Sequence, residues 1–467
     1  MEHHIDLEKG VLPGSSGLNR ADPKILHGIN QKIHHLPPLP PKACIFRVHD
    51  GLRHINENAY TPMLVSIGPY HHGNSKLQAM EEHKLRYLHS LLERNNEKSV
   101  ERYLVLVETL VDRARGYYAE PICLNRDKFV EMMLLDSCFT IEFLCKCYFA
   151  ELQDKDDPIF QSPWMVIQIL RDMMLLENQL PFFVLSELFY MMEILNSPYI
   201  FVEIAMFPIY QMLPAELSSI SLNHPGNKSA CESKHFLDLL HNVCLPSFGE
   251  ASSNKTSMSR NKNWTEFLEL LHNVRLRLFG EASSNKTAMS SNSNFTRILC
   301  VMELQEAGVS FKVDESDAVS LFDINFEHGQ LKIPKFKVQD PTETFFRNIV
   351  AYEQHSSDVK PKYFTDYTFF MDKLINTEND VNALRYCGIM ENWLGNDEEV
   401  ARMFNKMGDG RVVDSSTYYY SQVCQKLNHH CEKSWNKAMA KLRRNYFNNR
   451  WAGISTVAAT LLLLLTL

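Results

Sequence analysis

The sequence predicts a mainly α fold: a large helical domain with a small β-hairpin, an irregular insert and a C-terminal transmembrane helix. Three observations lead there. Apolar residues recur at helical spacing through most of 43–215. A tandem repeat with a period of 31 residues interrupts that pattern between 216 and 297. A run of 17 residues without a charge, "WAGISTVAATLLLLLTL", occupies 451–467. The chain has 467 residues, 45% of them hydrophobic, which is enough apolar material for one large domain or two ordinary ones. Charged residues make up 22% and the formal net charge is -8, so no nucleic-acid partner is expected.

The N-terminus has no apolar run and is not a secretory signal. Residues 1–42 end in "HHLPPLPPK" and read as a disordered, Pro-rich segment. A single helical domain is expected over 43–432. Its first helix, "LQAMEEHKLRYLHSLLER", gathers Leu77, Met80, Lys84, Leu88, Leu91 and Leu92 near one face. "SVERYLVLVETLVDRARGYY" repeats the pattern through Tyr103, Leu106, Val107 and Leu110. Two segments, "FVEMMLLDSCFTIEFLCKCYF" and "WMVIQILRDMMLLENQLPFFVLSELFYMMEIL", are apolar nearly all round, as central helices are. Pro181 breaks or kinks the second, because it cannot donate to the Glu177 carbonyl.

Between 216 and 297 the composition shifts to Ser, Asn and Lys. "FLDLLHNVCLPSFGEASSNKTSMSRNKN" (236–263) aligns with "FLELLHNVRLRLFGEASSNKTAMSSNSN" (267–294), with 21 of 28 positions identical. Two copies are too few for a solenoid. The stretch reads as a duplicated, exposed insert, each copy a short amphipathic helix with a polar tail. Beyond it, "VSLFDINFEHGQLKIPKF" alternates around a turn at His328-Gly329 and predicts the β-hairpin. "QDPTETFFRNIVAYEQ" opens a helix with Asp340 as cap and Pro341 in the first turn. Further helices start at "NTEND" and "GNDEE" and stop at Gly388 and Gly408. A last amphipathic helix runs from about 416 through Val423, Leu427, Cys431, Trp435, Met439 and Leu442 into a basic juxtamembrane stretch, 433–450.

"AYTPMLVSIGPYHHG", "MMLLDSCFTIEFL", "LLENQLPFFVLSELF", "DPTETFFRNIVAYEQ" and "LINTENDVNALRYCGIMENWLGNDEEVARMFNKM" follow one another as do the signatures of one plant family. The chain resembles the domain of unknown function 247 over roughly 43–467. The resemblance implies a membrane segment at the C-terminus and brings no catalytic residues. Some grass members are associated with self-incompatibility, which implies recognition or signalling at a membrane.

Four charged residues, Asp136, Arg171, Asp172 and Glu177, fall within strongly apolar segments, with Glu142 nearby. Buried charges are costly unless paired, so they read first as an internal polar clasp and second as an acid/base site. His71, His72 and His83 with Glu81 or Glu82 could hold a metal. Their spacing fits no helix-borne metal motif, and a loop histidine pair is the plainer reading. No P-loop, dinucleotide fingerprint or nucleophile elbow is present, so neither a cofactor nor an enzyme is expected. The 11 cysteines are an odd number, scattered, and those at 138, 145 and 147 sit among apolar residues as small buried thiols do.

At about 1.5 Å per residue, residues 451–467 span roughly 25 Å as a helix, close to a bilayer core. Trp451 and the flanking Arg443, Arg444 and Arg450 suit the membrane interface. Five N-glycosylation sequons, Asn227, Asn254, Asn263, Asn285 and Asn294, all lie in the insert and argue for a lumenal body. The basic flank and the absent signal peptide argue for a cytosol-facing one, which is favoured. The partners expected are therefore a membrane, through the C-terminal helix, and a protein, through the insert at 216–297.

Overall fold

A helix that is apolar all round has no face to give to water and belongs at a domain's centre. The structure, a computed structural model, describes residues 22–35, 43–192, 198–214, 232–245, 298–314 and 320–433. It divides into two units, Met1–Pro41 and Lys42–Leu467. In the first, the Asp22 side chain caps α1 (Pro23–His34), accepting from the Lys24 N–H at 2.9 Å. No α1 residue is buried, and Ile25, Leu26, Ile29 and Ile33 are exposed. The expectation of disorder throughout 1–42 is thus corrected over 23–34, where an Asp-Pro start signal opens a helix.

In the second unit α2 (Asp50–Arg53) precedes α3 (Ala79–Arg94), α4 (Glu101–Arg115) and α5 (Arg126–Tyr148). α5 is central, packed by α3, α4, α7 (Phe182–Met191) and α8 (Pro198–Met206). It is buried almost continuously from Phe129 to Lys146. Burial pushes the Cys138 and Cys145 thiols up to about 12. The single helix expected around Pro181 is instead two. α6 (Pro163–Met173) stops well short of it, 174–181 run irregularly, and Pro181 is the N-cap of α7. Side chains cause the early stop. The Asn178 amide donates to the Asp172 carbonyl at 3.0 Å, and the Gln179 amide to those of Met173 and Leu175, both at 2.7 Å. The orphan carbonyls at the helix end are met inside a dry core.

α9 (Phe236–Cys244) is the first copy of the repeated helix, and it corrects the reading of 216–297 as an exposed insert. Phe236, Leu237, Asp238, Leu239, Leu240, His241, Val243 and Cys244 are all buried. The Leu237 N–H donates to Gln179 Oε1 at 3.0 Å, and the Phe182 N–H to the Lys234 carbonyl at 2.8 Å. Tyr352 Oη, on α11 (Thr342–His355), donates to Asp238 Oδ1 at 2.6 Å. His235 is the N-cap; its Nδ1 accepts from the Asp238 N–H at 3.1 Å, so Nε2 carries the proton and faces the Cys44 carbonyl at 3.1 Å. Burial lowers the His235 pKa to about 4 and keeps the ring neutral. The second copy has Glu266, Glu269 and Arg275 where the first has His235, Asp238 and Cys244. In the first copy's seat, a carboxylate in place of His235 would face a carbonyl oxygen, the longer Glu in place of Asp238 would displace the carboxylate from the Tyr352 hydroxyl, and a guanidinium in place of Cys244 would lose its water. The second copy lies outside the described residues.

After α10 (Val301–Glu306) comes a three-stranded sheet. β2 (Asn325–Glu327) and β3 (Gln330–Pro334) form the expected hairpin, Phe326 opposite Leu331. His328 and Gly329, at φ 51° and 77°, close it as a two-residue turn that needs both in the left-handed region. β1 (Ser310–Asp314) joins β3 in parallel, and β4 (Phe336–Val338) pairs in parallel with β5 (Met390–Asn392). These non-local pairings carry no local signature. α12 (Tyr363–Leu374), α13 (Glu378–Tyr386), α14 (Asp397–Met407) and α15 (Ser421–Glu432) complete the unit. The Asp340 cap is corrected: Pro341 is the N-cap of α11, and Thr342 Oγ1 accepts from the Gln339 N–H at 2.9 Å.

No helix among the described residues is long and apolar enough to cross a membrane. The anchor at 451–467, the interface residues Arg443, Arg444, Arg450 and Trp451, and all five sequons lie outside the described residues.

If α9 owes its seat to His235, Asp238 and Cys244, two deletions of one 31-residue period should differ in stability. Removing 262–292 keeps the first copy and should leave the denaturation midpoint unchanged. Removing 231–261 leaves the second copy with the same flanking lengths, and should cost about 3 kcal/mol or more. Adding Glu266→His, Glu269→Asp and Arg275→Cys to that deletion should restore the loss. Equal midpoints for the two deletions would show that the groove does not discriminate.

Candidate functional site

Residues 43–78 contain little regular structure, yet Val48, Val65 and Ile67 are buried. Their backbone N–H groups have no helix or ladder to bond and must find other acceptors. Side chains of α5, α6 and the irregular 174–181 stretch supply them. Asp172 accepts from Met63 N–H at 3.0 Å, Leu64 at 2.7 Å and Val65 at 3.0 Å. Asn178 Oδ1 accepts from Ile67 at 2.7 Å, Asp136 Oδ2 from Gly68 at 2.8 Å and Glu177 Oε1 from Val48 at 2.6 Å. Arg171 pairs with Asp172 at 2.9 Å and donates to the carbonyls of Thr61 and Asn58. Gly68 sits at φ 80° so close to the Gln179 carbonyl that a Cβ would collide with it.

Asp136, Arg171, Asp172 and Glu177 therefore do not converge. Asp136, the Arg171–Asp172 pair and Glu177 sit at three nodes along one strap of backbone. Each node has its own countercharge. Asp136 meets Lys84 Nζ at 2.6 Å, and Lys84 also meets Glu81 at 2.7 Å. Burial opposes the Lys84 charge, but the two carboxylates outweigh it and its pKa is raised. Glu142 pairs with Arg94 at 2.5 Å. Lys84 was visible beforehand as a cation on an apolar stripe, though its partner was not.

Glu177 is the node nearest the surface. Arg53 bonds its Oε1, Arg47 lies 3.9 Å from Oε2, and His71 Nε2 lies 3.4 Å from the same oxygen. That last contact is ionic in reach but outside good hydrogen-bond geometry. Burial works to raise the Glu177 pKa, yet His71, the Val48 N–H and Arg53 together hold it below the ordinary range. A carboxylate so held is a weak proton acceptor. His71 is thus spent on Glu177, and no group of three or more metal-binding side chains occurs among the described residues.

A second place has a different character. Gly388, at φ 72°, turns the chain after α13 so that β5 returns beside it. Between them lies a cleft of about 530 Å³ lined by Asn382, Arg385, Tyr386, Glu391, Asn392 and Trp393, among others. Tyr386 is 89% and Trp393 68% exposed. The polar groups around them are held in place. Arg385 Nη1 meets both Asp397 oxygens at 3.0 and 2.7 Å, and the Asn392 amide donates to the same carboxylate at 2.7 Å. Glu391 pairs with Lys335 at 2.6 Å and accepts from Trp393 Nε1 at 3.3 Å. Sequence reasoning passed over this cleft. The one available signal was two large aromatics flanking a turn, outside any apolar period.

A sequence profile described as "Plant protein of unknown function", DUF247, matches residues 45–465. The chain is similar to the UPF0481 protein At3g47200 of Arabidopsis thaliana, 32% identical over 429 residues, which is 91% of this chain and 85% of the relative. It is also similar to the putative UPF0481 protein At3g02645 of the same plant, 25% identical over 477 aligned residues, 90% of this chain and 88% of the relative. No solved structure matches the chain.

Two outcomes follow from the buried carboxylates. Asp172→Ala strands three backbone donors and the Arg171 charge, and is expected to cost about 3–5 kcal/mol in chemical denaturation. Asp366 is less well served, with one N–H donor, Tyr419, at 2.8 Å; burial raises its pKa to about 7. An acid whose folded pKa is raised stabilises the fold below its unfolded pKa and loses that contribution as pH rises through the folded value. Stability should therefore fall between about pH 4 and pH 7, by on the order of 4 kcal/mol from this group. Asp366→Asn should flatten that stretch of the stability–pH curve.

Proposed function

Since this chain belongs to the plant family of unknown function DUF247, we propose that it is a membrane-tethered recognition or signalling protein, without a catalytic site of its own. The observation that carries this reading is the contrast between the two places just described. The charged residues buried among apolar helices are spent on backbone groups and on one another. The exposed cleft gathers Trp393, Tyr386 and Arg385, the three residue types that dominate binding hot spots. In this reading residues 451–467 tether the protein, the body faces the cytosol and the sequons go unused. The part of 216–297 beyond α9 adjusts partner choice, and a role in self-incompatibility falls within the same class. The competing reading, a membrane-associated enzyme using the carboxylate/arginine cluster, draws on the Glu177–His71 contact alone.

Truncation after Arg450 should move the protein from high-salt-washed membranes to the soluble fraction, and a truncated form that still pellets would refute the tether. A photo-crosslinking residue at position 393 should yield a discrete adduct in plant membranes. The same probe at Trp164, exposed on α6, should not. Identical patterns from the two positions would refute recognition through the cleft.

A further inference from the structure

We propose that the cleft between α13 and β5 binds a neutral oligosaccharide. The inference rests on the recognition reading and names the chemistry of its ligand. Trp393 and Tyr386 give two flat aromatic faces to solvent at one opening, where burying them without a ligand would have been favourable. Such faces suit the C–H face of a pyranose ring. The volume of about 530 Å³ lies within the range of small-ligand clefts and accommodates a short saccharide. Lys337 Nζ lies 6.0 Å from the Trp393 ring centroid, a weak contact at that range.

The charges argue for neutrality. Arg385 is compensated by Asp397, and Glu391 is faced by both Lys335 and Lys337, so the lining interleaves opposite charges rather than presenting the cation cluster that a phosphate or a uronate requires. The same pairs fix the planar groups in orientation before any ligand arrives, which lowers the cost of binding. Donors and acceptors remain. Both Arg385–Asp397 bonds leave from Nη1, and a guanidinium has five N–H donors in all. The Asn382 amide makes no hydrogen bond among the described residues. Hydroxyl groups, each both donor and acceptor, match such a mixed set. A proline-rich segment, another ligand that favours exposed aromatics, docks in grooves lined by aromatic side chains. This lining is mostly polar.

The test uses the full-length protein in a detergent without a sugar headgroup. It is titrated with short gluco-, xylo-, manno- and galacto-oligosaccharides, and binding is followed by tryptophan fluorescence and calorimetry. At least one class should bind saturably. Trp393→Ala and Tyr386→Ala should each weaken it by about tenfold or more, with the melting temperature unchanged because both side chains are exposed. Lack of saturation by every class overturns the proposal, as does binding that both variants leave intact. A Trp393-dependent response to a polyproline peptide in place of sugar also overturns it, but leaves recognition through the cleft standing. An absent adduct at position 393 together with absent sugar binding removes both readings.

Discussion

Irregular backbone buried beside helices has to find acceptors for its N–H groups, and most of this molecule is arranged around meeting that demand. Residues 43–78 form a strap with little secondary structure, pressed against α5 and α6. Asp136, Asp172, Glu177 and Asn178 accept its N–H groups one after another. Leaving a buried donor unmet costs about 1–3 kcal/mol, so each acceptor is a condition for burying the strap at all. The same solution recurs elsewhere. Glu353 accepts from the Phe364 and Thr365 N–H groups at 3.0 and 2.7 Å, and Asp380 from that of Met302 at 2.9 Å. The buried carboxylates thus act as replacements for missing backbone acceptors. That explains their abundance in helices that are otherwise apolar.

The arrangement also bears on the duplicated helix. α9 is locked through Gln179, whose amide caps α6 while its carbonyl oxygen takes the Leu237 N–H. The groove is therefore built by the same stretch that secures the strap. Duplication copied the apolar face, which any such groove would accept. It did not keep three positions whose surroundings are polar or closed, His235 against a carbonyl, Asp238 against the Tyr352 hydroxyl and Cys244 in the interior. Apolar contact is tolerant of the copy; hydrogen-bond matching is not.

The cleft at Tyr386 and Trp393 contrasts with the clasp in every respect. It is open, its charges are paired on the surface, and its aromatics are unburied. The short parallel pairing of β4 with β5 positions it, bringing residues 336–338 beside 390–392 across more than fifty residues of sequence. Stable exposure of large aromatics carries a solvation penalty that a purely structural role would not require. The likeness to other plant proteins of unknown function extends over nearly the whole chain and leaves the ligand to chemistry of this kind.

Sequence alone determined the helical class, the central place of α5, the hairpin with its His328-Gly329 turn, and Lys84 on an apolar stripe. Each depends on residues within a few positions of one another, so period and turn chemistry suffice. It also singled out Asp136, Arg171, Asp172 and Glu177 as unusual, since charge amid apolar residues is a local fact. Apart from the adjacent Arg171–Asp172 pair, tertiary structure decided their partners, because Lys84, Arg53, His71 and the strap's N–H groups lie tens of residues away. It alone placed α9 in the core, where a Ser- and Asn-rich neighbourhood had pointed to the surface, and it ended α6 well before Pro181. Composition averages over a window. A groove reads only the side chains that enter it, and that difference is why the buried copy of a repeated helix was not legible beforehand.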